Sequence, residues 1–165
     1  PLREAELRMA AMHCDYDAVV ISDYDKGYVD YSLFDILAPK NPNIKIFVDT
    51  KKTKLPVHYN NIVYKINKKE FELLDPDHIP RGENMIVTHG ANGALWNKKQ
   101  IPVPITTVFD VTGAGDTFLA ALVWYYIQLP SMEEAIAFAN RCAAIAVQNT
   151  GTYTLRMEDV DGILS

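Results

Sequence analysis

Four short apolar runs, each closing on a polar residue, constrain this chain more than any other feature. Ala18-Val-Val-Ile-Ser22 leads into Asp23, Ile44–Val48 into Asp49, and Ile62–Ile66 into Asn67; Met85-Ile-Val closes on Thr88. Runs this short, apolar at successive positions, predict buried parallel strands. Helical patterns separate them. Tyr31 to Ala38 reads as a helix stopped by Pro39 and the turn Asn41-Pro42-Asn43, and Asn67 starts a short helix through Glu70, Phe71, Leu73 and Leu74. Strands alternating with helices predict an α/β fold, a doubly wound and mostly parallel sheet flanked by helices. Ligands of such sheets sit beyond the carboxyl ends of the strands. Asp23, Asp49, Asn67 and Thr88 all fall there, independently of any motif.

The rest of the chain reads differently. Gly93-Ala-Leu-Trp96 and Ile101-Pro-Val-Pro104 look like an antiparallel pair joined by Asn97-Lys-Lys-Gln100. A helix from about Ala114 to Gln128 is apolar almost all round and is expected to be buried on most sides. A second helix opens with Ser131-Met-Glu-Glu134, a capping box, and ends near Asn149 with Gly151 as its cap. Its alanines at 135, 137, 139, 143, 144 and 146 permit close packing against a neighbour or a ligand. The first residues read as a polar helical stretch with Leu2, Leu7 and Met9 on one side, opening at Pro1 as if cut from something longer.

With 165 residues, one domain over 1–165 is expected. A net charge of −5 argues against nucleic acid as a partner. Cys14 and Cys142 fall in helical patterns and are expected as reduced core residues, which suits the cytoplasm. His13, His58, His78 and His89 have no zinc spacing, and no apolar stretch is long enough for a bilayer.

Chemistry concentrates at Asp110-Val-Thr-Gly-Ala-Gly-Asp116, which runs straight into a helix. Glycines let backbone amides crowd one point, and a helix N-terminus adds unsatisfied N–H groups and a positive dipole end. Together they make an anion hole. A carboxylate beside bound phosphate reads as a base or orienter for a hydroxyl attacking phosphorus. A helix start favours the ionised acid and weakens it as a base, so Asp116 orients the hydroxyl first and takes its proton late. An ordinary helix start explains Asp116 alone, but not Asp110, Thr112, Gly113 and Gly115 with it.

Other constellations carry less by themselves. Asn67 and Glu70 share a helical face, where a Glu can hold hydrated Mg²⁺ through water; on spacing alone a capping box is favoured. Ser22-Asp-Tyr-Asp-Lys-Gly27 follows a strand, and its Asp and Lys can meet a phosphate or substrate hydroxyl; taken alone, a polar turn is favoured. Lys51, Lys52, Lys54, Lys65, Lys68 and Lys69 form a cationic rim if the loops bring them together, and a solvated surface otherwise. Thr88-His-Gly90 and Gly93 look like a strand-to-turn crossing near a nucleotide.

Taken together, these pieces resemble the ribokinase-like (pfkB) carbohydrate kinases. The resemblance rests on DVTGAGDTF at Asp110–Phe118, Asn-x-x-Glu at Asn67–Glu70, VTHGANGA at Val87–Ala94 and FANRCAAIAV at Phe138–Val147. Within the family it is finest to the heptose-phosphate kinase branch, through SDYDKG at Ser22–Gly27 and Asp49-Thr-Lys51. The resemblance implies a ribokinase-like fold with Asp116 as catalytic base and the amides of Gly113, Ala114 and Gly115 as the anion hole. It implies Mg·ATP contacts at Asn67, Glu70 and Lys51; Thr88, Gly90 and Gly93 near phosphate or ribose; and Asn140 near adenine. It further implies magnesium at Glu70 through water, and potassium at Asp110 and Thr112, with the Thr150-Gly151 region completing its site.

Two positions depart from the branch: Asp25 stands where glycine is usual, and Ile66 where proline commonly precedes the Asn. The family's N-terminal sugar-binding strands and lid have no counterpart, nor does the nucleotidyltransferase fused to some heptose enzymes. The expected parent is an ATP-dependent sugar kinase with a phosphorylated heptose as leading acceptor and another sugar or nucleoside as alternative. The isolated chain is expected to keep nucleotide contacts and turn over weakly or not at all. A non-catalytic nucleotide-binding kinase portion is the rival. A sheet face left uncovered would favour self-association, as in a homodimer.

Overall fold

The computed structural model describes residues 16–40 and 42–165, and the chain divides into two compact units, Pro1–Met85 and Ile86–Ser165. The predicted N-terminal helical stretch, His13, Cys14 and the Asn41 end of the predicted turn lie outside the described residues.

In the first unit, strands β1 (Ala18–Asp23), β2 (Lys45–Thr50) and β3 (Ile62–Asn67) lie in chain order. Both pairings are parallel, with Ala18 opposite Lys45 and Ile46 opposite Ile62. β3 is the buried strand: Ile62, Val63, Tyr64 and Ile66 are each at most 1% exposed. β1 departs from the expectation of full burial. It stands at one end of the strand order, and Val20 is 49% exposed.

Between β1 and β2 the chain forms a 3₁₀ turn at Tyr31–Leu33 and helix α1 (Phe34–Lys40). Asp30 starts the turn by accepting the Ser32 amide. Pro39 lies inside α1 and does not stop it before the residue. Its fixed φ is helical, and this close to the end it forfeits a single hydrogen bond. Helix α2 (Lys68–Glu72) follows β3 without a break and ends before Leu74, with Leu73 as its cap.

The second unit carries an antiparallel meander. β4 (Met85–Thr88) starts at the unit boundary and pairs with β5 (Ala94–Trp96), which pairs with β6 (Lys99–Ile101). The β5–β6 turn is the two residues Asn97 and Lys98, both at positive φ (46° and 65°). Positive φ at both central residues matches the twist of a tight hairpin. It brings Lys99 and Gln100 into β6, while Pro102 and Pro104 fall beyond it.

Two helices of 15 residues dominate this unit, α3 (Ala114–Gln128) and α4 (Met132–Ala146). α3 is less buried than its composition suggests. Phe118, Leu119, Ala121 and Leu122 are buried, but Trp124 and Ile127 are each 40% exposed. Trp124 stacks on Phe138 of α4 with ring centroids 5.5 Å apart, covering one face of the indole. α4 buries Ala135, Ala139, Ala144, Ala146 and the free thiol of Cys142.

The predicted capping box on α4 does not form. Ser131 makes no side-chain cap bond, and its carbonyl accepts the Ala135 amide. Nor is Gly151 the cap: Val147, in helical conformation, closes α4. Helix α5 (Met157–Leu164), not among the expected elements, follows; Asp159 accepts the Arg156 amide at its start.

Candidate functional site

In the first unit, the strand ends carry buried charge. Asp23, closing β1, is 4% exposed. Its Oδ1 accepts the Asp25 amide at 2.9 Å, and its Oδ2 accepts the Thr50 hydroxyl at 3.3 Å. Lys52 Nζ lies 3.3 Å from the same Oδ2, donates to the Val29 carbonyl and sits 4.2 Å above the Tyr31 ring. Tyr31 donates to Thr50 at 2.7 Å, and burial pushes its hydroxyl pKa well above the ordinary tyrosine value. The loop after β1 is therefore held from beneath. Within it Asp25 takes φ +54°, a left-handed conformation that glycine favours and Asp tolerates. The glycine-to-Asp departure thus falls where the backbone has a glycine-like shape.

The six lysines do not make a free cationic rim. Lys65 is 5% exposed, and its Nζ lies 2.5 Å from Asp49 Oδ2. Lys52 pairs with Asp23, Lys54 with Asp75 at 3.8 Å, and Lys68 with Glu72 at 3.9 Å. Lys51 is exposed, with its ammonium 4.9 Å from the Tyr24 ring centroid. Carboxylates at the strand ends, on α2 and at Asp75 pair with four of the six lysines.

Asn67 and Glu70 form a full capping box. The Asn67 amide donates to Glu70 Oε2 at 2.8 Å, and the Glu70 amide to Asn67 Oδ1 at 3.0 Å. The capping explanation therefore holds in full. Glu70 Oε1 takes no part in it, and a carboxylate oxygen is the ligand type that a hydrated magnesium accepts through water.

In the second unit a cavity of about 290 Å³ opens beside the start of α3. Its walls include Thr88, Gly90 and Gly93 from the β4–β5 crossing, Val103 to Thr106 and Val108 from the segment after β6, Ala114, Gly115 and Phe118 of α3, and Asn140, Ala143 and Ala144 of α4. Six of the candidate residues (Thr88, Gly90, Gly93, Ala114, Gly115 and Asn140) thus line one cavity. Two alanines expected to admit a neighbour or a ligand, Ala143 and Ala144, line it as well.

The crossing is shaped by Gly93. It sits at φ +83°, and a Cβ there would come within 2.2 Å of the Ile101 carbonyl oxygen. Only glycine fits so close an approach at this φ. Its carbonyl accepts the His89 amide at 2.7 Å, and its amide donates to the Gly90 carbonyl at 2.9 Å, closing a 3₁₀ turn at Gly90–Asn92. Asn140, 3% exposed, donates from Nδ2 to the carbonyls of Ile101 and Pro102 at 3.0 and 3.1 Å. Further along, the Phe109 and Asp110 amides both donate to the Val147 carbonyl at the end of α4.

Gly113 is the N-cap of α3 at φ +76°, with Asp116 exposed in the first turn. Of the three amides assigned to an anion hole, that of Ala114 donates to the Val111 carbonyl at 3.2 Å. Asp110 Oδ1 accepts the Thr112 amide at 2.9 Å and its hydroxyl at 2.7 Å; Oδ2 accepts the Gly151 amide at 2.9 Å. These donors, led by the Thr112 hydroxyl, hold the Asp110 pKa below the usual 3.8. Asp110, Thr112 and Gly151 are therefore joined in one clasp. Its carboxylate and hydroxyl oxygens suit a hard cation such as potassium in chemistry, although Gly151 presents its N–H. Among the described residues no group of three or more His, Cys, Asp or Glu is placed to hold a metal ion.

The clasp to Gly151 was not legible as such, because 41 positions separate its partners. The Val103–Val108 wall was also missed. Its prolines and β-branched residues carry no periodic signal.

The family model for pfkB carbohydrate kinases matches residues 64–159. The Bifunctional protein HldE of a Nitratiruptor species is 30% identical to this chain, over 89% of the chain and 36% of that protein. The chain thus spans about a third of the length of the curated relatives it matches. Two solved structures share the fold. Phosphofructokinase-2 from Escherichia coli, in complex with potassium, has a TM-score of 0.71 at 20% identity, over 96% of this chain and 60% of that one. Arabidopsis thaliana ribokinase, complexed with ribose and ATP, has a TM-score of 0.70 at 20% identity, over 98% and 59%.

Proposed function

The chain belongs to the pfkB family of carbohydrate kinases, and on that premise we propose that its protein transfers the γ-phosphoryl group of ATP to a sugar hydroxyl, with a heptose 7-phosphate as acceptor. The observation that carries the proposal is the cavity that meets a Gly-Ala-Gly helix start, Ala114 and Gly115 forming part of its wall. The kinship with HldE and the Ser22–Gly27 and Asp49–Lys51 stretches support the heptose. The ribokinase complex supports ATP as the donor.

In this reading the base of ATP enters the cavity past Thr88, Gly90 and Gly93. The amides of Gly113, Ala114 and Gly115 face the migrating phosphoryl group, whose oxygens displace Val111 as acceptor from Ala114. Asp116 aligns the sugar hydroxyl and accepts its proton late, as a loose transition state requires. The family resemblance assigns Glu70, with Asn67 holding it, and Lys51 to Mg·ATP contacts. Magnesium supplies charge neutralisation on the phosphates. Potassium, present in the phosphofructokinase-2 complex, would be held by Asp110 and Thr112 beside Gly151. The cytoplasm, where ATP is abundant, suits this chemistry.

A second reading, nucleotide binding without turnover, is favoured for the isolated chain by the exposure of Asp116 and Gly115. Water at an open carboxylate costs positioning. Coupled ADP release with heptose 7-phosphate separates the two, on the 165-residue chain and on a form extended to the length of its relatives. In the longer form Asp116→Asn is expected to lower turnover by about 10²- to 10⁴-fold with ATP affinity kept. Unchanged turnover dismisses Asp116 as the base, and strong turnover by the short chain dismisses the second reading.

A further inference from the structure

The Tyr24–Gly27 loop leaves the carboxyl end of β1, where parallel sheets meet their ligands, yet the proposed chemistry gives it no task. Its backbone is set from below. The buried Asp23 carboxylate accepts the Asp25 amide at 2.9 Å and the Thr50 hydroxyl at 3.3 Å. Lys52 Nζ stands 3.3 Å from the same carboxylate and donates to the Val29 carbonyl beyond the loop. It also lies 4.2 Å above the Tyr31 ring, whose hydroxyl donates to Thr50 at 2.7 Å. Lys52 thus ties both ends of the stretch from Asp23 to Tyr31 to the end of β2. Between those ties Asp25 and Gly27 take φ +54° and +78°, which turns the chain tightly. At the tip Lys26 is exposed, and among the described residues no hydrogen bond or ion pair engages its ammonium. That sets it apart from Lys52, Lys54, Lys65 and Lys68, each paired with a carboxylate. Asp25 beside it is exposed too, and water screens its charge.

We propose that Lys26 binds the phosphate of a phosphorylated acceptor sugar, with Lys52 as the positioning residue that holds the loop in the shape that presents it. The inference rests on the sugar-kinase reading of this protein. An ammonium on a flexible stem meets phosphate as a point charge. A phosphate monoester carries a charge of about −1.5 to −2 near neutral pH and, unlike the phosphates of Mg·ATP, brings no cation of its own. An unpaired ammonium therefore answers a larger need on the acceptor than on the donor. A loop already fixed by Asp23 and Lys52 also loses less freedom when the phosphate arrives.

The experiment is calorimetric titration of the form extended to the length of its relatives, with heptose 7-phosphate, with the unphosphorylated heptose and with Mg·ATP. Lys26→Met is expected to weaken heptose 7-phosphate binding by about 10- to 100-fold and to leave the other two affinities unchanged. An unchanged affinity for heptose 7-phosphate, or an equal loss for both sugars, overturns Lys26 as the phosphate contact and leaves the kinase reading intact. A loss confined to Mg·ATP moves Lys26 to the donor and overturns it equally. No binding of heptose 7-phosphate by the unmodified protein overturns the inference and the heptose reading together. Lys52→Met should show the same selectivity at about 2- to 30-fold. Lys52→Arg, which keeps a cation for Asp23 and for the Tyr31 ring, should recover the loss. A fall in melting temperature with the preference for the phosphorylated sugar unmoved makes Lys52 merely structural and overturns its positioning role. If Lys52→Met does not fold, Tyr31→Phe decides, because it keeps the ring and removes the hydroxyl bond to Thr50: a weakened preference for the phosphorylated sugar supports the brace, and an unmoved one overturns it.

Discussion

Replacing Gly93 with alanine tests how the second unit is held together. The new Cβ would lie 2.2 Å from the Ile101 carbonyl oxygen and 2.9 Å from Pro102 C and Val103 N. All three are backbone atoms, and the same stretch is clipped by Asn140 through the Ile101 and Pro102 carbonyls. It cannot retreat without breaking those bonds. Alanine must also adopt φ +83°, at a cost of about 1–3 kcal/mol. Relieving the overlap adds about 1–3 kcal/mol. The sum is about 2–6 kcal/mol, which for a chain of this length lowers the melting temperature by roughly 5–20 °C.

Gly90→Ala is the control. Its φ is +55°, but nothing lies within 4 Å of a Cβ there, so only the backbone term of about 1–2 kcal/mol applies. Thermal melts followed by circular dichroism, paired with ATP titration, read both consequences. Gly93→Ala should melt well below Gly90→Ala and bind ATP more weakly, because the displaced Ile101–Val103 backbone carries one wall of the cavity. Equal melting of the two variants would refute the close-approach argument.

Two further outcomes follow from the polar contacts. Asp110 has its pKa lowered by the Thr112 hydroxyl and amide and the Gly151 amide. A depressed folded-state pKa gives stability that is present above the unfolded value and lost as pH falls through the folded one. Asp110→Asn should therefore melt below the unmodified chain at neutral pH, the gap closing as pH drops below 3.8; a gap that stays constant from neutral to strongly acidic pH contradicts the clasp. Lys65→Met leaves Asp49 largely buried without its cation. It should cost about 3 kcal/mol, at the low end for broken buried pairs because Asp49 keeps 19% of its side-chain exposure. Urea unfolding measures it, and adding Asp49→Asn should recover part of the loss.

Parallel strands β1 to β3 and the helix start at Ala114 were legible because short apolar runs and a glycine turn act locally. The Asn67–Glu70 box was legible for the same reason, since both partners lie within one turn. Tertiary choices were not. Ser131 and Glu134 have the spacing of a capping box, yet Ser131 leaves its cap bond unmade. Trp124 and Ile127 look like core in a helix apolar all round, but α3 packs mainly through Phe118, Leu119 and Leu122. Lys65 belongs by composition to a cationic surface and is instead buried against Asp49, a pairing that only the β2–β3 register sets. Asn140 was singled out only through the family resemblance, and its bonds to the Ile101 and Pro102 carbonyls were not legible because those residues are remote in sequence.

The central claim is that Mg·ATP occupies the cavity beside the Gly-Ala-Gly turn. Titrating the isotopically labelled chain with Mg·ATP, and following each backbone amide by NMR, tests it most directly. The account predicts saturable shifts concentrated at Thr88, Gly90, Gly93, Gly113, Ala114 and Gly115. Saturable shifts that leave these six amides unmoved, or no saturable shift at all, would contradict it.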